Sequence, residues 1–238
     1  MDIVFVILRC VRAADQNRLW KRAVASVREF YPTNQIIVID DNSTHAEASD
    51  DGIPVIQSEF PGAGEVLPYH YFLKHRWAER MVFIHDSMLL KRTFTEQELL
   101  QSNRFLWHFD IHRWDNDRMI NSIMDTPELI AYNSNKEVWW GCFGATMLVS
   151  YDTLSAIEKR YGMIQRCIAR ISTRPGRMAF ERILAILMFK EGAVSKESCS
   201  INGNIFEHPG AWRAVTEEEM NHLKQVYHGA CLKEWVGR

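Results

Sequence analysis

The chain has 238 residues, 47% of them hydrophobic and 24% charged, and its formal net charge at pH 7 is −2. This length and hydrophobic content are enough for one domain with a sizeable core, and they exclude an intrinsically disordered chain. Acidic and basic residues are mixed along the chain, and the sequence has no polybasic tail. Binding to nucleic acid or to an anionic membrane surface is therefore not expected.

The N-terminus and the cysteines predict a cytoplasmic protein. The apolar run between Asp2 and Arg9 is too short to span a membrane, and it lacks the basic start and the cleavage site of a signal peptide. The five cysteines are scattered and form no Cys-x-x-Cys pair, so a disulfide framework and a structural zinc site are both disfavoured. We expect no membrane span.

The first part of the chain alternates predicted strands with predicted helices. Runs rich in β-branched residues predict strands, and apolar residues at helical spacing, such as Leu19, Ala23 and Val27, predict helices. The strands are expected at 3–8, 36–41, 53–59 and 81–84, and the helices at 15–31 and 69–80. Strand, helix and strand at this spacing form a βαβ unit, which predicts an α/β fold with a mostly parallel sheet flanked by helices.

The second part of the chain is predicted to be less regular. Thr95 and Glu98 form a capping-box pattern for a short helix, and Thr216 with Glu219 forms another for the last helix. A strand entered through glycines is expected within 139–152, with helices at 153–161, 178–191 and 216–228. Since there is no repeat and no convincing linker, we predict one domain over residues 1–238.

Polar residues follow two of the predicted strands directly. Asp40 and Asp41 end the second strand, and His85, Asp86 and Ser87 follow the strand at 81–84. In α/β sheets ligands bind beyond the carboxyl ends of the strands, so these two groups are expected to lie at one site. Asp-Asp-Asn-Ser also starts loops well, and turn formation is the alternative explanation for the first pair.

The segment "IIVIDDNST" resembles the second strand of nucleotide-sugar glycosyltransferases of the GT-A fold, family 2-like, where a hydrophobic run precedes Asp-Asp-x-Ser-Thr. The resemblance implies a GT-A-like, Rossmann-related fold. It also implies that Asp40 and Asp41 contact the nucleoside of a UDP- or GDP-type donor. Residues 1–90 would then bind the nucleotide sugar, and residues 91–238 would bind the acceptor.

The resemblance also implies a site for Mn²⁺ or Mg²⁺ at the second strand end. His85-Asp86-Ser87 stands where the family has Asp-x-Asp, so this motif is degenerate. His85 and Asp86, with a late loop histidine, His208, are the implied metal ligands, and Ser87 would contact the diphosphate. A single carboxylate makes the site weaker for a hard cation, and metal dependence stays open.

The family's catalytic base stands at a helix start, which implies Glu181 for this role and inversion at the anomeric carbon. A glutamate there can also serve only as a partner of the helix dipole. Trp140, Gly141 and Gly144 correspond to the strand under the acceptor, where a glycan or another hydroxyl compound would bind. Arginine pairs well with phosphate, so Arg9 after the first strand and Arg177 before Glu181 are candidate diphosphate contacts.

Two further possibilities concern other functions. His108 and His112 have a spacing that could bind zinc on a helix, but a third ligand is not evident, so this site is disfavoured. Because the metal motif is degenerate, a non-catalytic carbohydrate- or nucleotide-binding protein is the alternative to a glycosyltransferase.

Overall fold

The structure is a computed structural model that describes residues 2–49, 52–208 and 216–235. The strands in these ranges are β1 (Ile3–Arg9), β2 (Gln35–Asp40), β3 (Val55–Gln57), β4 (Arg80–His85), β5 (Met88–Leu90), β6 (Arg104–Phe105), β7 (His108–Phe109), β8 (Gly141–Cys142), β9 (Met147–Ser150) and β10 (Cys231–Lys233). The helices there are α1 (Asn17–Phe30), α2 (Leu67–His75), α3 (Glu96–Leu100), α4 (Asp117–Met124), α5 (Pro127–Ser134), α6 (Tyr151–Tyr161), α7 (Met163–Arg170), α8 (Arg174–Lys190) and α9 (Glu217–Val226).

Six strands form a central sheet in the order β3-β2-β1-β4-β9-β6. Strands β1 to β4 are parallel, and β9 runs antiparallel to both of its neighbours. The predicted α/β fold with a mostly parallel sheet flanked by helices is thereby confirmed. Since β2 and β3 lie on one side of β1 and β4 on the other, the winding reverses between β1 and β4, where such sheets open a crevice for ligands.

The central strand β1 is buried on both faces, as its continuous apolar run predicts. Alternate side chains point to opposite faces: Val4 and Val6 belong to the core under α2 and α8, while Phe5 and Ile7 belong to the core under α1. The polar residues that follow β1, β2 and β4 are thus held by a rigid, double-sided core.

Several predicted boundaries are wrong. The strand expected within 139–152 is two strands, β8 and β9, because Gly144 (φ 59°) and Ala145 (φ 52°) adopt left-handed conformations that interrupt the extended chain. Helix α2 ends at His75, since Arg76 closes it in a left-handed conformation. Helix α9 ends at Val226 instead of continuing to Gly229.

Helix α8 begins earlier than expected. Thr173 is its N-cap, and its side chain accepts a hydrogen bond from the Gly176 amide. Arg174 and Arg177 therefore lie in the first turn of the helix and not in a loop before it. No helix among the described residues is long and apolar enough to cross a membrane.

Candidate functional site

A cavity of about 730 Å³ opens at the carboxyl ends of β1 and β4, between the first turns of α8 and strand β10. Eight of the predicted site residues line it: Arg9, Asp41, His85, Asp86, Ser87, Gly144, Arg177 and Glu181. Four others lie outside its lining: Asp40, Trp140, Gly141 and His208.

The end of β2 is held by an ion pair inside the protein. Arg9 donates from Nε to Asp40 at 2.7 Å, and both side chains are buried. The guanidinium of Arg9 also lies 4.6 Å from the centre of the Trp20 ring, and Asp40 accepts a further bond from the Ser43 amide at 2.8 Å. Each oxygen of Asp40 is therefore bonded by a protein group, and Asp40 does not line the cavity.

Asp41, one residue further, organises a glycine loop at the cavity wall. Its carboxylate accepts hydrogen bonds from the amides of Gly62 at 2.6 Å and Gly64 at 3.1 Å. Burial raises the pKa of Asp41, and these two amides oppose that effect. Gly62 has φ 86°, and a Cβ there would lie 2.6 Å from the Ser172 carbonyl oxygen, so this position requires glycine.

Arg177 reaches the same loop from α8. It donates to the Gly62 carbonyl at 3.2 Å and forms an ion pair with Glu65, also 3.2 Å long. Its side chain is 29% exposed, so a cationic surface faces the cavity beside Asp41.

The end of β4 is connected to α8 through the Gly144 peptide. His85 Nε2 donates to the Gly144 carbonyl at 2.9 Å, because a carbonyl oxygen can only accept, and the Gly144 amide donates to the Glu181 carboxylate. A Cβ on Gly144 would lie 3.1 Å from His85 Nε2. The predicted strand end, glycine and base are thus brought together.

The carboxyl group of Glu181 has a raised pKa. Burial raises its pKa to about 7 against the opposing effects of Arg182 and the Gly144 amide, and Glu65 adds to the rise. A carboxyl group with a pKa near 7 can accept a proton at neutral pH and release it again.

Arg182 connects Glu181 to a buried carboxylate that sequence reasoning missed. It donates to Glu181 at 2.7 Å and to Asp115 at 2.8 Å. Burial alone raises the pKa of Asp115, but hydrogen bonds from His112 and Arg182 hold it below its ordinary value. Because Asp115 shares the guanidinium, Arg182 neutralises Glu181 only in part.

Lys233 is a second residue that sequence reasoning missed. Strand β10 pairs antiparallel with β5, and this pairing brings Lys233 opposite Met88. Its Nζ donates to the Ser87 hydroxyl, and the side chain lines the cavity. A three-residue strand that pairs with a segment more than 140 positions earlier leaves no local sequence signal.

His208 is buried between the rings of Trp107 and Tyr227. Its Nε2 accepts a hydrogen bond from the Lys233 amide at 3.3 Å, and burial lowers its pKa to about 4. The lone pair needed for a metal is therefore directed at the backbone of β10. The residues that follow His208 in the sequence, 209–215, lie outside the described residues.

The predicted acceptor strand is partly used for packing. Trp140 stacks on His108 with 4.4 Å between ring centres, and Gly141 lies against the Phe109 ring, which a Cβ there would overlap. His108 bonds Ser200 at 2.7 Å and His112 bonds Asp115 at 3.0 Å, so the two histidines do not share a metal. Of the three residues predicted to contact the acceptor, Gly144 is the one that lines the cavity.

The donor set at the end of β4 does not fit a divalent cation. Nowhere in the described ranges do three or more His, Cys, Asp or Glu residues form a group that could hold a metal. His85 Nε2 donates its proton to the Gly144 carbonyl, and the Ser87 hydroxyl accepts a hydrogen bond from the Lys233 ammonium. Asp86 alone supplies a carboxylate in the motif.

Comparison with solved structures gives distant matches, among them a glycosyltransferase. No protein-family model and no curated protein matches the sequence. A crystal structure of S. aureus TarS 1–349, a glycosyltransferase, superposes with a TM-score of 0.40 at 11% sequence identity. The match covers 71% of this chain and 55% of the TarS structure, so the chain spans about half of that neighbour. A likeness of this degree assigns neither substrate nor reaction.

Proposed function

We propose that the chain is a glycosyltransferase that moves a sugar from a nucleoside diphosphate sugar to a glycan or another hydroxyl acceptor. The observation that carries the proposal is Glu181, a carboxyl group with a pKa of about 7 in the cavity that the strand ends form. The resemblance of "IIVIDDNST" and the strand-end rule support the same assignment.

The reaction assigns a distinct task to each part of the cavity. Glu181 takes the proton of the acceptor hydroxyl while the acceptor oxygen bonds to the anomeric carbon. The bond between that carbon and the diphosphate breaks, and the nucleoside diphosphate leaves with the electron pair. A single displacement of this kind inverts the anomeric configuration.

The donor is proposed to lie along the glycine loop. Arg177 and Arg174 of α8, with Arg12, supply positive charge for the departing diphosphate of a UDP or GDP donor. Asp41, next to the loop it organises, is the proposed nucleoside contact. The ion pair of Asp40 with Arg9 holds this wall in place.

Binding without catalysis is the second candidate function. The ion pair of Glu181 with Arg182 favours it, because a carboxylate that stays paired is a weaker base. A non-catalytic protein would bind a nucleotide or a carbohydrate in the same cavity and leave the donor intact.

A donor screen separates the two functions. UDP- and GDP-sugars are incubated with simple sugar acceptors, with and without Mn²⁺, and the release of UDP or GDP is measured. We expect release from at least one donor, with kcat/KM rising with pH through an apparent pKa of about 7. Binding of donors without any release would establish the non-catalytic alternative.

Glu181→Gln tests the role of the base. The amide keeps the shape of the side chain but cannot take the proton, so we expect kcat to fall by roughly 10²- to 10⁴-fold while the affinity for UDP or GDP stays unchanged. Glu29→Gln, on the exposed side of α1, is the matched control. Unchanged kcat in Glu181→Gln would remove this residue from the mechanism.

A further inference from the structure

We propose that Lys233, and not a metal ion, is the cation that contacts the donor diphosphate at the end of β4. The inference rests on the proposed function and adds one element to it. The cation site comes from strand β10, far from the motif it completes: Lys233 and Ser87 are 146 residues apart in sequence.

The identity of residue 87 explains why an ammonium fits there. Lys233 Nζ donates to the Ser87 hydroxyl at the cavity, and a hydroxyl carries no charge that would offset the ammonium. An aspartate at position 87 would neutralise that charge in an ion pair. The ammonium also repels a divalent cation at this position, so the serine and the lysine together replace the metal site.

The backbone of Lys233 is fixed from two sides. Its amide donates to His208 Nε2, and the next amide, of Glu234, donates to the Ser87 carbonyl at 2.9 Å. His208 thus serves the site by positioning β10, in place of the metal ligation that the sequence implied.

The carboxylate of Glu234 adds a third anchor. It accepts hydrogen bonds from Arg18 at 3.1 Å and Arg22 at 3.0 Å, both on α1. Because the segment that carries Lys233 is tied to β5 and to α1, its ammonium is held ready before a ligand enters.

Several cationic side chains of the cavity could contact a diphosphate without a metal. Counted over the described residues, six cationic side chains and four carboxylates line it. The cations are Arg9, Arg12, Arg174, Arg177, Arg182 and Lys233, and the carboxylates are Asp41, Glu65, Asp86 and Glu181. Arg9 and Arg182 also pair with Asp40 and Asp115, which lie outside the lining. The other four cations have the sign that a diphosphate requires.

The first experiment uses the unaltered protein. UDP and GDP are titrated by calorimetry in EDTA and again with Mn²⁺. We expect at least one nucleotide to bind in EDTA, with Kd within about twofold of the value in Mn²⁺. Binding that requires Mn²⁺ would overturn the role of Lys233 and leave the glycosyltransferase proposal standing. Binding of neither nucleotide under both conditions would overturn the proposed function itself.

The second experiment changes the cation. Lys233→Met is expected to weaken UDP or GDP binding on the order of ten- to a hundredfold, because a charge-assisted bond to phosphate is lost. Uridine or guanosine, followed by NMR, should bind as before, and Lys233→Arg should restore most of the diphosphate affinity. Lys224→Met, exposed on α9, is the matched control. Unchanged UDP and GDP affinity in Lys233→Met would refute the proposal.

Ser87→Asp tests the same idea without removing the lysine. Its carboxylate would pair with Lys233 and repel the diphosphate, so we expect UDP or GDP affinity in EDTA to fall about tenfold. Circular dichroism spectra and thermal midpoints like those of the wild type establish that each variant is folded. Wild-type affinity in a folded Ser87→Asp variant would contradict the assignment, whatever the fate of Lys233→Met.

Discussion

The ends of β2 and β4 look alike in sequence and differ in the structure. At the end of β2 both carboxylates accept hydrogen bonds from the protein: Asp40, outside the cavity lining, from Arg9 and Ser43, and Asp41, at the cavity wall, from two loop amides. At the end of β4, His85, Asp86 and Ser87 all line the cavity, and His85 and Ser87 bond Gly144 and Lys233 of distant segments.

The difference shows that polar residues at a strand end can either stabilise the wall of a site or supply the side chains that contact a ligand. The end of β2 fixes a wall, and changes there are expected to affect stability first. The end of β4 meets Glu181 through Gly144 and Lys233 through Ser87, and changes there are expected to affect ligands and protons first.

Asp40→Ala removes the buried ion pair at the end of β2 and is expected to have the largest effect on stability. It leaves the guanidinium of Arg9 buried without its carboxylate, which costs about 3–5 kcal/mol of the free energy of unfolding. Urea unfolding measures the loss. Glu59→Ala breaks an exposed pair with Lys74 and should cost no more than about 1 kcal/mol. Equal costs for the two variants would mean that the end of β2 is not a structural anchor.

Glu181→Gln tests how the raised pKa of Glu181, beside the end of β4, affects the free energy of unfolding. The folded chain holds the Glu181 proton up to a pKa of about 7, against 4.5 ordinarily, so ionisation in this range favours the unfolded chain. In the wild type, the contribution of Glu181 to the free energy of unfolding is complete below pH 4.5 and is lost as the pH rises through 7. The variant should therefore exceed the wild type by up to about 3 kcal/mol at pH 8 and match it at pH 4.5. A pH-independent difference in urea unfolding would contradict this origin.

Gly62→Ala gives the smallest expected effect and refines the comparison. Its left-handed conformation and the nearby Ser172 carbonyl should together cost about 2 kcal/mol. Gly192→Ala is the matched control, since Gly192 is also left-handed but has nothing within 4 Å of an added Cβ, and about 1 kcal/mol is expected. Thermal unfolding of both variants checks the order, and equal losses would show that the loop held by Asp41 can shift.

The sheet could be predicted from the sequence because its signals are local. Strands β1, β2 and β4 are continuous buried runs, and α1 repeats its apolar residues at helical spacing. Helices α4 and α5 are only eight residues long, with few buried positions, and were not predicted. The pair of β5 and β10 depends on contact between distant segments, which a local pattern does not contain.

The site was predicted where it follows from strand ends and missed where it follows from tertiary contacts. Asp41, His85, Asp86, Ser87 and Glu181 meet at one cavity, as the strand-end rule and the resemblance imply. Arg182, Asp115 and Lys233 have no motif around them, and their importance comes from the partners that folding supplies. Their chemical roles, like those of the predicted residues, stay proposals until they are measured.

The anchoring of Glu234 by α1 has a consequence for the coupling between binding and local unfolding. Detachment of β10 from β5 would remove Lys233 from the cavity while the central sheet stays intact. Any ligand that contacts Lys233 therefore binds only the attached form and stabilises it by mass action. Arg18 and Arg22 lie outside the cavity lining, but their ion pairs with Glu234 would stabilise the attached form of β10. They would thereby raise the fraction of molecules that can bind the ligand, and with it the apparent affinity.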